Sequence, residues 1–249
     1  MSRAQTARPT VDLPVPARAL AIGAHPDDIE FGCGATLAKW AAAGCEVDLL
    51  VLTDGSKGSW DPGADVGELA ALRRAEQRTA ADGLGVGEVH FLDAVDGELD
   101  HDRAMRERVC RVIRAVRPDV VLGHDPWKRY RLHPDHLHAG QLTIDGIVAA
   151  RDPHFFPDAG SPHRPQRLLL FEAEVIDHLE DVAGSLDAKI AALLAHASQW
   201  RSTMGIDPAG PDADAQVADF QRRIRDEAAT AGALGGLAFG EAFKLLTDL

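Results

Sequence analysis

The sequence predicts an α/β protein with a Rossmann-like, mostly parallel sheet, helices on both faces and a helical C-terminal portion. Three observations carry this. Short, wholly apolar runs alternate with stretches of helical length, the runs lack the in/out alternation of half-exposed strands, and polar clusters recur just past their C-terminal ends.

Residues 1–17 contain Arg and Pro but no apolar periodicity and are expected to be a flexible N-terminal arm, with 18–249 forming a single domain. The run Ala19-Leu20-Ala21-Ile22-Gly23-Ala24 reads as a buried strand. A helix is expected over Gly34–Ala43, closed by Gly44, then a strand over Val47–Leu52 that ends in Thr53-Asp54-Gly55. A longer helix spans Val66–Leu84 with Gly85 as its stop, and it leads to the strand Val89–Leu92. The helix Arg103–Val116 precedes Pro118 and the strand Val120–Gly123, after which a polar loop runs from His124 to Leu132. From His133 the pattern is helical to about Ala150. A loop rich in Pro and His covers 152–165, and a strand is expected over Arg167–Val175. The Ala-rich remainder, Ser185 to about Thr230, reads as helical with a break at Met204–Pro211, and 185–211 is a candidate lid together with 152–165.

A net charge of -13 opposes phosphate backbones and anionic lipid, so neither nucleic acid nor membrane insertion is expected. The three cysteines, Cys33, Cys45 and Cys110, are widely spaced and form no C-x-x-C pair, which suits a reducing cytoplasm. Homo-oligomerisation is left open.

Chemistry concentrates in two tetrads. His25-Pro26-Asp27-Asp28 follows the first strand and crowds one imidazole and two carboxylates into a small volume. Such like charge calls for a cation, and adjacent acids point apart, so one can hold metal while the other faces a reaction. The plainer reading is a helix cap and a turn. His133-Pro134-Asp135-His136 opens a later helix; its two histidines, three apart, share a face, and Asp135 can orient a neighbouring imidazole. A histidine-rich loop alone is most often surface chemistry, and His138 reads as an exposed bystander. Together the tetrads offer two imidazoles and a carboxylate, which match a catalytic zinc with open positions.

At these residues the chain resembles the PIG-L/LmbE-like zinc deacetylases, the family of N-acetylglucosaminylphosphatidylinositol de-N-acetylase and of the mycothiol and bacillithiol biosynthetic deacetylases. The resemblance runs from Ala24-His25-Pro26-Asp27-Asp28 through Thr53-Asp54-Gly55, Arg73-Arg74-Ala75-Glu76 and Asp96-Gly97 to His133-Pro134-Asp135-His136. It implies that His25, Asp28 and His136 hold Zn2+, with Fe2+ as the alternative, and that Asp27 is the general base. His133 then stabilises an oxyanion or acts as an acid, with Asp135 supporting the catalytic set, and Arg73 and Asp96 bind substrate. Arg131 stands where some members have tyrosine, and it either contacts an anionic or carbonyl group of the substrate or is a surface charge. Two further stretches, Lys189–Gln199 and Glu241–Lys244, also resemble family segments and are read as helix packing. The implied activity is hydrolysis of an N-acetyl group on an amino sugar or glycoside, releasing acetate and an amine. Three competitors stand beside it. One is an amidase for a larger N-acyl conjugate. The second is a non-catalytic metal-binding module on the same fold. The third is a dinucleotide binder suggested by Gly32-Cys33-Gly34, which Leu37 opposes by occupying the place of the third glycine.

Overall fold

The structure is a computed structural model that describes residues 8–249. In chain order the elements are β1 (Thr10–Val11), β2 (Arg18–Gly23), α1 (Asp28–Ala42), β3 (Glu46–Thr53), α2 (Val66–Leu84), β4 (Val89–Ala94), α3 (Arg103–Val116), β5 (Val120–His124), α4 (Pro134–Arg151), β6 (Arg167–Phe171), β7 (His178–Asp181), α5 (Leu186–Leu194), α6 (Ala213–Ala233) and β8 (Gly240–Leu246). One sheet takes the strands in the order β1-β7-β8-β6-β5-β2-β3-β4. Its pairings are parallel except those of β8, which runs antiparallel to both β6 and β7.

Alternate residues of the central strands feed two cores, as the pleat requires. Ala19, Ala21, Leu49, Val51 and Leu122 pack with Leu37 and Trp40 of α1 and Ala80 and Leu84 of α2. Leu20, Ile22, Leu50 and Val121 pack with Val109 and Ile113 of α3 and Leu142 and Ile147 of α4 on the other face. Local chemistry fixes the helix ends: Asp65 accepts from Gly67 N and Glu68 N at the start of α2, Gly85 closes it at φ 75°, and Asp102 accepts from Met105 N at the start of α3.

Helix α1 begins at Asp28, well before the expected Gly34, and it is broken at Cys33 (φ −153°, ψ 16°). The break frees backbone donors inside a buried helix, and they need an acceptor. Glu241 supplies it, taking Ala35 N at 3.1 Å and Thr36 N at 2.7 Å, while Lys189 Nζ balances its charge at 2.7 Å. The Glu241–Lys244 segment is therefore not helix packing: it lies in β8, a strand that caps the second half of α1.

Three more expectations change. The strand expected over Arg167–Val175 stops at Phe171, and β7 follows it as a separate strand, so β7 and β8 put part of the C-terminal portion into the sheet. The arm expected over 1–17 is ordered where it is described. Thr10–Val11 pairs with His178–Leu179, and Leu13 N donates to the buried carboxylate of Glu180 at 2.9 Å. The physical reason is that β7 would otherwise leave an open edge; residues 1–7 lie outside the described part. Finally, 152–165 follows the end of α4 and leads into the start of β6, at the sheet edge away from the tetrads, where the buried guanidinium of Arg114 donates to the carbonyls of Ala149, Ala150, Asp152, Phe155, Phe156 and Gly160. No helix among the described residues is long and apolar enough to cross a membrane.

From β2 the chain winds outward through β3 to β4, then crosses back to place β5 on the other side of β2. The neighbouring ends of β2 and β5 thus form the crevice in which α/β sheets bind ligands.

Candidate metal and active site

Past β2 the chain turns sharply, with Asp27 at φ 94° before α1. A non-glycine residue in that region costs on the order of 1–3 kcal/mol and persists only where its surroundings hold it. Here Asp27 N donates to Gln77 Oε1 at 3.0 Å, and Arg73 donates to the carbonyls of Pro26 (2.5 Å) and Gly55 (2.9 Å). The same guanidinium lies 3.5 Å from Asp27 Oδ2. Arg73 is thus a fully buried clamp on the first tetrad as well as part of the cavity wall.

The second tetrad arrives at the N-terminus of α4, with His133 preceding Pro134 in the first turn. His25 Nδ1, Asp28 and His136 Nε2 converge: His25 Nδ1 is 3.2 Å from Asp28 Oδ2 and 3.2 Å from His136 Nε2, which is 3.2 Å from Asp28 Oδ1. Donors bonded to one tetrahedral ion at about 2.0–2.1 Å stand about 3.3 Å apart, so this set fits a small divalent cation. The opposite nitrogen of the same ring, His25 Nε2, lies 3.1 Å from Asp135 Oδ2 and 3.1 Å from Asp96 Oδ1. A proton held there fixes the tautomer that turns the Nδ1 lone pair toward Asp28 and His136.

Two other donor groupings among the described residues are close enough to share an ion, and both are poorer fits. His25, Asp96, His133 and Asp135 form the first. Its carboxylates are already met by backbone N–H groups, Asp96 by Lys57 (3.0 Å) and Asp135 by Gly97 (2.7 Å) and Leu99 (3.3 Å). His124, His136 and Glu172 form the second, where the Arg131 guanidinium already bonds Glu172 and His124 Nδ1.

His124 was not a predicted site residue. It ends β5, is buried, stacks on His136 with ring centroids 4.6 Å apart and lies 3.3 Å from Asp28 Oδ2. Its signal was the one that marked His25: an apolar strand closing on histidine. Arg131, expected at the substrate, is instead turned onto His124 and Glu172 and is absent from the cavity wall. Asp135, expected among the catalytic groups, is wholly buried and reaches only His25 and backbone donors, so it positions a ring rather than meeting a ligand. His138 is half-buried against the Leu99 carbonyl, not an exposed bystander.

Electrostatics divide the two adjacent acids. Burial pushes the Asp27 carboxyl up to about 6, against the opposing pull of Arg73. For Asp28 burial is outweighed by His136 and His124, which hold it well below the usual carboxylate range. Burial together with the neighbouring His25 and His136 keeps His133 below the ordinary imidazole value. One acid therefore stays ionised beside the imidazoles while its neighbour sits poised to exchange a proton near neutrality.

A cavity of about 350 Å³ opens over this set, walled by His25, Asp27, Asp28, Arg73, Asp96, His133 and His136. Lys57, Trp60, Gln199, Ser202 and Thr203 also line it; none was singled out as a site residue, and the last three lie in the 185–211 segment read as a candidate lid. Gln199 belongs to the segment read as helix packing. In the same segment Ser198 donates to Glu76 and the buried His196 faces Glu30 at 3.7 Å, so 196–203 forms a wall of the site. Trp60 is 87% exposed on the loop before α2, an indole presented to solvent at the cavity rim.

The family described as PIG-L, GlcNAc-PI de-N-acetylase, matches residues 20–147, which span both tetrads. Diacetylchitobiose deacetylase of Thermococcus kodakarensis is 38% identical over 187 residues, covering 74% of this chain and 70% of that protein. A 1D-myo-inositol 2-acetamido-2-deoxy-alpha-D-glucopyranoside deacetylase of Kineococcus radiotolerans is 30% identical, covering 79% of this chain and 72% of its own length. Among solved structures, N,N'-diacetylchitobiose deacetylase from Pyrococcus horikoshii superimposes with a TM-score of 0.83 at 29% identity, over 93% of this chain and 84% of that one.

Proposed function

The chain belongs to the PIG-L family of GlcNAc-PI de-N-acetylases, and from that membership we propose that it is a metal-dependent N-deacetylase that hydrolyses the acetamido group of a small amino sugar or glycoside to acetate and a free amine. One observation carries the reading: two imidazoles and a carboxylate stand at ion-sharing distances beside a second acid that none of them engages. His25, Asp28 and His136 would hold the ion, which we assign as zinc; the same donor types suit ferrous iron, and reconstitution of stripped protein with each metal separates the two. When bound, such an ion acts as a Lewis acid toward an amide carbonyl and a nearby water.

The remaining steps fall to this chain's own groups. Asp27 takes a proton from the attacking water, a task matched to a carboxyl pushed up to about 6. Neutral His133 donates a hydrogen bond to the oxyanion that develops on the former carbonyl oxygen. Asp27 then returns its proton to the departing nitrogen, which cannot leave as an anion. Asp135 and Asp96 hold His25, while Arg73 fixes the turn that aims Asp27 and offers its guanidinium to sugar hydroxyls along with Asp96. We place the protein in a reducing cytoplasm, supported by its three cysteines, which are buried and unpaired.

Amine release from N-acetylglucosamine and diacetylchitobiose tests the proposal. Asp27→Asn is expected to lower turnover by roughly 10²–10⁴-fold with bound metal unchanged. Full activity in that variant rejects Asp27 as the base. Wild-type protein that binds metal yet releases no amine from any N-acetylated sugar would support the non-catalytic module instead.

A further inference from the structure

The residues at the centre of the site bound two cavities. Asp27, Asp28, His136 and Thr203 line the first and also a second, of about 370 Å³, that continues over Phe31 of α1 and Phe220 and Ile224 of α6. Phe220 and Ile224 are buried, and the Phe31 ring stands edge-on to Phe220 with centroids 6.3 Å apart. The charged groups of this second arm, Glu172, Arg223 and Glu227, are exposed. Arg223 already donates to the Met204 carbonyl at 2.7 Å and Glu172 is paired with Arg131, so an apolar guest strips neither of its partner.

An amide has two substituents, and a hydrolase must seat them on either side of the scissile carbon. The first arm suits the sugar: it carries Arg73, Asp96 and Lys57 for hydroxyl groups and the Trp60 indole for a ring face. The second has an apolar floor. It is also far larger than an acetyl methyl needs, since about 370 Å³ is the space of roughly ten waters at about 30 Å³ each. Resting on the deacetylase reading above, we propose that this second arm is the acyl subsite and that the enzyme hydrolyses amino sugars bearing straight-chain N-acyl groups longer than acetyl. In each case water adds across the amide. The C–N bond breaks, hydroxyl passes to the acyl carbon and a proton to nitrogen, giving a fatty carboxylate and the free amine.

The test is amine release from N-acetyl-, N-butanoyl- and N-hexanoyl-glucosamine. Each buried methylene contributes about fourfold, from about 0.8 kcal/mol. N-butanoyl-glucosamine should therefore exceed the acetyl substrate in kcat/KM several-fold, up to about sixteen-fold. Ile224→Phe narrows the arm and should lower the butanoyl-to-acetyl ratio at least tenfold. Ile224→Ala widens it and should raise the hexanoyl-to-acetyl ratio, which gives a reading even if the larger residue impairs folding. Normal acetyl turnover with butanoyl and hexanoyl substrates tenfold slower overturns the subsite while sparing the deacetylase reading. So does an Ile224→Phe variant that binds metal and unfolds on heating as the wild type does yet loses all three substrates equally, since the arm then serves the sugar. Absence of turnover on the acetyl substrate removes the deacetylase reading and the subsite with it.

Discussion

Replacing Asp135 with asparagine changes one atom and one charge in a group that meets no ligand, yet it should weaken metal binding. Asp135 Oδ2 accepts from His25 Nε2 at 3.1 Å and from Gly97 N at 2.7 Å, and Oδ1 accepts from Leu99 N at 3.3 Å. Asparagine can keep its oxygen toward His25 and Gly97, but its amide nitrogen then faces Leu99 N, donor against donor. Leaving that buried donor unmet costs about 1–3 kcal/mol, and exchanging a charged acceptor for a neutral one costs about 1 kcal/mol more. At about 2–4 °C per kcal/mol for a domain of this size, the melting temperature should fall by roughly 5–15 °C. The Nε2 proton of His25 loses its strongest anchor, so metal affinity should fall about 10–100-fold, as for other carboxylates behind a ligating histidine. Competition with a chelator of known affinity measures this directly. Metal affinity within twofold of wild type, in a variant whose melting temperature has fallen, would refute the claim that Asp135 acts through His25.

Two further predictions concern parts of the fold remote from the metal. Arg114→Met strips the C-terminus of α4 and the 152–165 loop of their shared donor; thermal unfolding should shift down by roughly 5–10 °C, a loss on the order of 2–3 kcal/mol, while activity per folded molecule stays at the wild-type level. On β4, the Asp48 carboxylate, 3.5 Å from His90 Nε2, holds that imidazole above its ordinary value, and Asp48 is itself held low by His90 against the effect of burial. The His90 contribution to stability is therefore complete below about pH 6.5 and disappears as pH rises through its folded value, whereas that of Asp48 disappears in acid below about pH 4. The stability gap between wild type and His90→Gln should be widest near pH 5–6 and close by pH 9. A gap that is constant from pH 5 to pH 9 contradicts the pairing.

Much of the site was legible because its ligands lie on two short stretches that each follow an apolar run. A strand buried on both faces can release polar side chains only at its end, so His25 and the His133–His136 turn had to meet wherever β2 and β5 are neighbours. What escaped notice depended on partners distant in sequence. Arg131 beside a histidine tetrad looked like a substrate contact, but its partner Glu172 follows a different strand. Glu241 looked like helix surface because nothing near it announces the break at Cys33 that it caps. The strands β7 and β8 carry charged residues at positions buried by one another and by α1, so their sequences lack the apolar continuity of the central strands. His124 differs from these, since at the end of β5 it carries the same local signal as His25 just past the end of β2, an apolar strand closing on histidine.

The measurement that bears most directly on the account is metal stoichiometry, read beside amine release from N-acetylglucosamine, in wild type and in single alanine variants of His25, Asp28, His136, Asp27 and His133. The account predicts about one divalent ion per chain in the wild type, loss of both ion and activity in the first three variants, and retained ion with activity reduced by two orders of magnitude or more in the last two. A full equivalent of metal in His136→Ala, or unimpaired amine release from protein stripped of metal, would contradict it.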